Sequence, residues 1–269
     1  MNYGMYAVLA ILLAIKAVGN THQPPIYIYA HGLADTKEQA YNYKHILFEK
    51  DEDLITFDFP DATRYFWRVD VTQANLGQRK DISKLASVFY DQIEQKPEAP
   101  VVGIGVSRGG ATWLSFMGIY RPPQVKALVI ESPPDSIANI VPGILHNLLP
   151  YIFMEYDPYG IQSQDSIMHI PKDTPILIIS LESDHVVPHA SSMRIYLKLI
   201  RSGHHNTHLY TFTRGKHGKI VLENQEVYRN IAHAFYKKYG LPYNQDYAHA
   251  GQQLFSQTQP TQQELLYER

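Results

Sequence analysis

The sequence predicts an α/β fold: a doubly wound, mostly parallel sheet of about six strands. Three observations lead there. Strand-like and helix-like segments alternate through most of the 269 residues. The strand-like segments, such as VVGIG at 101–105 and PILIISL at 175–181, are near-continuous apolar runs, the pattern of strands buried on both faces. Composition is that of an ordinary globular chain, 45% hydrophobic and 19% charged, with no shift that divides it into two comparable domains.

In chain order, PIYIYA at 25–30 is β-rich and stops at His31-Gly32, so it reads as a strand and a loop. Residues 36–48 have helical character, and DLITFDF at 53–59 reads as the second strand, closed by Pro60-Asp61. ISKLASVFYDQI, within 77–95, places apolar residues at helical spacing. The strand at 101–105 is followed by a helix over 108–120, and the strand at 125–130 ends in Ser132-Pro133-Pro134. After the strand at 175–181 come a helix over 190–200, a last strand at 208–212 and a long amphipathic helix over 220–239.

Three segments lie outside this alternation. MYAVLAILLAI at 5–15 has the length of a signal-peptide core and falls short of the ~20 residues that span a bilayer. With the small residues at 17–19 it predicts a signal peptide over 1–19 and export to the periplasm or medium, with membrane anchoring through this segment as the alternative. Residues 135–173 are too long for a simple crossover and hold an apolar, proline-broken stretch, read as a small helical cap inserted into a single domain of residues 20–243. The glutamine-rich tail, 244–269, has few apolar residues and is expected to lack stable structure.

Composition also excludes. With no cysteine, disulfides, thiolate catalysis and cysteine-rich zinc sites are ruled out. A formal charge of -2 supplies no basic field for nucleic acid.

The chemistry centres on Gly105-Val106-Ser107-Arg108-Gly109, which has a strand before it and a helix after it. In that setting a Gly-x-Ser-x-Gly run is a sharp turn that presents the serine, with glycines where side chains would collide. A serine hydroxyl needs a base, and the base needs an orienting carboxylate. Asp184, directly after the strand at 175–181, is the candidate acid, against the bland reading of a helix cap. Glu131, ending the preceding strand, is its rival and is read as a residue behind the site; Asp135 and Asp157 fall within the cap. Among 13 histidines, His217 is alone in the loop after the last strand and completes the order serine, acid, histidine. His185 and His189 lie near Asp184 but would leave that loop without a role. His204, His205 and His208 read as solvated loop residues, and no metal site is expected. Backbone N–H groups of Arg108 and Leu33 are the expected oxyanion donors, Gly32 letting the loop turn; His31 is taken as structural. The Arg108 side chain is expected at the surface, paired with Asp35 or Asp61, or alternatively to meet an anionic substrate group.

Taken together, HGLAD at 31–35, GVSRG at 105–109, SDHVVP at 183–188 and GKHG at 215–218 resemble the α/β-hydrolase superfamily, in order and in placement at strand ends. The resemblance covers about residues 25–239. It implies hydrolysis of a carboxylic ester, thioester or amide by a Ser-Asp-His triad without a cofactor, and does not imply a substrate. The chain departs from many members in having little sequence ahead of the first strand, implying a minimal sheet, and in a plain His-Gly oxyanion loop. The resulting expectation is an esterase or thioesterase acting on a small molecule, with a serine peptidase taking short peptides, or a non-catalytic binding protein, as alternatives. Membrane contact would run through the N-terminus or the cap; oligomeric state is not read from the sequence.

Overall fold

The computed structural model describes residues 23–47, 54–60, 79–136 and 163–258. The expected signal peptide, most of the cap and the end of the tail lie outside the described residues.

Six strands form one sheet: β1 (Ile26–Ala30), β2 (Leu54–Thr56), β3 (Val101–Val106), β4 (Val125–Glu131), β5 (Ile176–Leu181) and β6 (Thr207–Phe212). Their spatial order is β2-β1-β3-β4-β5-β6, with every neighbouring pair parallel. The chain therefore moves outward from β1 to β2, then returns across β1 to β3 and proceeds the other way. That reversal makes a crevice at the carboxyl ends of β1 and β3, where Ala30 is in register with Gly105.

Residues alternate between two cores. Ile26, Ile28 and Ala30 of β1 face one layer, built on α2 (Arg79–Gln95), α3 (Arg108–Tyr120) and α5 (His189–Arg201). Tyr27 and Tyr29 face the other, built on α1 (Tyr41–Leu47), α6 (Ile220–Glu223), α7 (Gln225–Lys238) and α8 (Gln245–Ser256). Strands β1, β3 and β5 are buried at every position, which is why they read as unbroken apolar runs. α4 (Ser163–Ser166) and a 3₁₀ turn (Ile167–His169) pack on α3.

Three expectations are corrected. The second strand is shorter, only Leu54–Thr56, because it is the half-buried edge of the sheet. The long helix expected over 220–239 breaks at Asn224, whose side-chain amide donates to the carbonyls of Arg214 (3.2 Å) and Ile220 (3.3 Å). A polar side chain competing for backbone carbonyls interrupts a helix in this way. The tail expected to be unstructured forms α8 through Ser256: Asn244 caps it by accepting from the N–H groups of Asp246 and Tyr247. Ala248, Gly251 and Phe255 bury its inner face against α7. The helices cross so closely at Gly251 that a Cβ there would lie 2.0 Å from the Asn230 carbonyl oxygen.

Candidate active site

Ser107 sits where β3 turns into α3, with φ 51° and ψ -115°, a conformation that non-glycine residues rarely adopt. Close approach of backbone holds it there. A Cβ on Gly109 would lie 2.0 Å from the Ala30 carbonyl oxygen, and one on Gly105 would lie 2.7 Å from the backbone of Gly109. Both glycines thus have the steric job expected of them. The Ser107 N–H donates to the Glu131 carbonyl at 2.7 Å, tying the turn to the end of β4. Although Ser107 occupies the N-cap position of α3, its hydroxyl is not used as a cap, so Oγ remains available for chemistry.

Asp184 and His217 meet across 33 residues of chain: His217 Nδ1 lies 2.7 Å from Asp184 Oδ2. The other carboxylate oxygen, Oδ1, accepts the N–H groups of Val186 and Val187, each at 2.9 Å. These bonds fix the carboxylate and leave its second oxygen aimed at the ring. Burial alone would raise the Asp184 carboxyl, but the hydrogen bond and charge of His217, with the two N–H donors, outweigh it and hold it below its ordinary value. An ionised Asp184 places the imidazole proton on Nδ1 and turns Nε2 into the acceptor, the tautomer a general base needs. The His217 side chain keeps 16% of its surface exposed. Among the described residues no hydrogen bond joins Ser107 Oγ to His217.

Gln39, which follows in a 3₁₀ turn (Lys37–Ala40), brings the loops together. Its Oε1 accepts from Tyr29 Oη (2.7 Å) and from the Gly32 N–H (3.1 Å), and its Nε2 donates to the Gly218 carbonyl at 3.5 Å. A Cβ on Gly32 would be 3.7 Å from Ser107 Cβ. The loop after β1, the serine turn and the histidine loop are therefore neighbours. Because Gly32 spends its N–H on Gln39, the next N–H along, that of half-exposed Leu33, is the group left for an oxyanion. Sequence reasoning missed Gln39, whose partners lie from 7 to 179 residues away.

Two expectations about neighbours are corrected or sharpened. Asp61 lies outside the described residues, but the Arg108 side chain is neither at the surface nor paired with Asp35. It is 1% exposed and forked onto Asp81 of α2, with Nε–Oδ2 at 2.7 Å and an amino nitrogen–Oδ1 at 2.6 Å. Its guanidinium also stacks 4.4 Å from the Phe59 ring centroid. α3 is buried over nearly its whole length, so a cation in its first turn needed an internal counter-charge. His31 is structural, as expected: Nε2 accepts the Phe59 N–H at 3.1 Å, leaving Nδ1 to donate to the Gly32 carbonyl at 2.7 Å. Burial lowers its pKa, only partly opposed by that carbonyl, so it is a neutral strut.

The remaining candidates are placed elsewhere. His189 Nδ1 is 2.8 Å from Ser180 Oγ, and His185 is exposed. Asp135 is bound by Arg194 at 2.6 Å. His204 and His208 are fully buried, not solvated, each within hydrogen-bond distance of a threonine hydroxyl. Glu131 is buried behind the site, its Oε2 accepting Tyr43 Oη at 2.8 Å. Among the described residues no group of three or more acidic or histidine side chains could hold a metal ion.

No family model matches the sequence, and no curated protein does. Solved structures do match. The chain is similar to a Pyrococcus horikoshii acylaminoacyl peptidase at 14% identity and TM-score 0.60, covering 83% of this chain but only 38% of that one. It is similar to a Pyrococcus furiosus esterase at 16% identity and TM-score 0.60, covering 81% and 84% of the two chains. A Paleococcus ferrophilus monoacylglycerol lipase aligns at 16% identity and TM-score 0.55, over 80% and 96%. Such low identities establish architecture, and together with the strand order and the serine turn they make this chain an α/β-hydrolase-fold protein.

Proposed function

We propose that this protein is a serine hydrolase that cleaves a carboxylic ester or thioester through an acyl-enzyme. The observation that carries the reading is the conjunction of a strained, uncapped Ser107 at the sheet's switch point with an Asp184–His217 pair at the same end. Ser107 Oγ attacks the substrate carbonyl carbon while its proton passes to His217 Nε2. Asp184 stabilises the imidazolium, and N–H groups of Leu33 and Arg108 stabilise the oxyanion. Collapse of the tetrahedral adduct breaks the bond to the alcohol or thiol, which takes the proton from His217. Water, deprotonated by the same nitrogen, then attacks the acyl-serine; the carboxylic acid leaves and Ser107 regains its proton. The reading requires a hydrogen bond from Ser107 Oγ to His217 Nε2 in the substrate complex, where bonds between nucleophile and base tighten.

Ester chemistry is favoured because the chain matches the esterase and the lipase over most of their lengths. The acylaminoacyl peptidase supports a second reading, hydrolysis of short acylated peptides, over the 38% of that protein that is matched. Ser107→Ala should retain the wild-type thermal midpoint and lose p-nitrophenyl acetate turnover and fluorophosphonate labelling. Turnover that survives in this variant would refute Ser107 as nucleophile. A panel of short esters, thioesters and acyl-peptide anilides divides the two readings.

A further inference from the structure

Glu131 is a buried acid beside the serine turn that the proposed steps leave unused and, unlike Asp81 and Asp135, it has no arginine bound to it among the described residues. It closes β4, its backbone carbonyl receives the Ser107 N–H, and its side chain is 1% exposed. Carboxyl oxygen Oε2 accepts Tyr43 Oη, whereas Oε1 is buried with no hydrogen-bond partner among the described residues. The groups facing it can be named from each packed element. Tyr29 comes from β1, Tyr43 from α1 and Tyr228 from α7, the last steadying the carboxylate charge without reaching hydrogen-bond geometry. The Ile220 N–H faces it from the start of α6, three residues past His217, and His217 itself is the charged partner that interacts with it. The histidine loop thus acts electrostatically on this carboxyl while its hydrogen bond goes to Asp184.

An acid buried without a cation of its own is costly unless something nearby uses its charge. Among the described residues, the group that acts on Glu131 and can acquire positive charge is the imidazole of His217. We propose that Glu131 is a positioning residue for His217, a second carboxylate that stabilises the imidazolium formed as Ser107 attacks. The inference rests on the serine hydrolase reading above and adds to it a pH response. Burial pushes the Glu131 carboxyl up to about 7, against the lowering effects of Tyr43, His217, Tyr228 and the Ile220 N–H. Above that pH the carboxylate supports the imidazolium; below it the neutral acid does not. Activity then declines on the acid side through two ionisations, that of the base and that of Glu131.

The test is the pH profile of kcat/KM on a phenyl ester for wild type, Glu131→Gln and Tyr43→Phe. Wild type should show an acid limb of two protons. Glu131→Gln should show one, with a high-pH plateau reduced by roughly 10-fold, the scale for losing a charge interaction across a partly screened interior. A role in packing alone would lower the plateau and leave the two-proton limb in place, and that result would overturn the proposal. If Glu131→Gln does not fold, Tyr43→Phe decides. Loss of the Tyr43 donor raises the Glu131 pKa, so the limb should move to higher pH, and an unmoved limb overturns the idea. Wild-type protein that is neither active nor labelled at Ser107 defeats the hydrolase reading and this inference with it. Active, labelled protein with an unchanged Glu131→Gln profile defeats this inference alone.

Discussion

His217 and His208 are the same residue in two opposite settings. His217 stands beyond the carboxyl end of β6, part-exposed, with a carboxylate on one ring nitrogen and no hydrogen bond among the described residues on the other. His208 lies near the amino end of the same strand, 1% exposed, between Thr258 Oγ1 (2.9 Å) and Tyr239 Oη (2.8 Å), with the Phe255 ring centroid 4.5 Å away. Burial, with the charge of Lys238, drives the His208 pKa down to about 3. One imidazole has a carboxylate beside it to stabilise an added proton; the other would have to be protonated in a buried site next to the Lys238 ammonium. Residue type did not distinguish them. The neighbouring anion and the access of water did.

The sharpest way to break this contrast is to make His217 resemble His208 by removing its counter-charge. Asp184→Asn should leave the loop packed, since its side-chain oxygen can still accept from Val186 and Val187. Its amide can no longer hold the Nδ1–H tautomer or stabilise the imidazolium. Ester turnover should fall by ~10³–10⁴-fold, measured as kcat, with little change in the denaturation midpoint. Retained kcat would place the base elsewhere.

The same logic applies to a charge that is meant never to change. Arg108 and Asp81 are both essentially inaccessible and bind each other through two hydrogen bonds. Asp81→Asn removes a buried counter-charge from the guanidinium under the serine turn and should cost about 3–5 kcal/mol of folding stability. Urea unfolding would measure it. A loss below ~1 kcal/mol would mean that the pair is not a significant anchor of α2 to α3.

How far these arrangements could be read from sequence depends on whether punctuation marks them. Ser107, Asp184 and His217 each follow an apolar strand and precede a helix or turn, so strand ends narrow the choice, and the Gly-x-Ser-x-Gly setting and the order serine, acid, histidine select them over Glu131 and His31. Gln39 and Asp81 carry no such mark. Each is a polar residue on a short or amphipathic helix, indistinguishable in sequence from a solvated one, and their partners are set by the tertiary fold. Arg108 was misjudged because a cation in a first helical turn suggests the surface. The continuous apolar run that follows it, ATWLSFMG, was the signal that this helix is buried nearly all round. The tail was misjudged on composition. Its glutamines hide an Ala248, Gly251, Phe255 spacing that gives one apolar helical face.

The smallest expected effect, and the one that tests the other side of the contrast, is on the pH dependence of stability. His208 and His204 have folded pKa values lowered to about 3 and about 4, below the 6.5 of an unperturbed histidine, in both cases chiefly through burial. Between those values and 6.5 the unfolded chain binds protons that the native protein does not. Their contribution to stability is therefore complete above pH 6.5 and is lost as pH falls through the folded pKa values. Glu131 acts with the opposite sign. Its pKa is raised from 4.5 to about 7, so the native state holds its proton more tightly and that stabilisation is lost as pH rises through 7. Two histidines outweigh one carboxyl, so the contribution of these three groups to stability should rise with pH from 4.5 to 6.5 and fall below it until the native histidines take up their own protons. His208→Gln keeps a donor and an acceptor for Thr258 and Tyr239 but cannot be protonated. It should remove one proton, about 1.4 kcal/mol per pH unit at most, from the acid slope of the unfolding free energy and leave ester turnover unchanged. An acid slope identical to wild type would show that His208 is protonated in the folded protein, and the contrast with His217 would collapse.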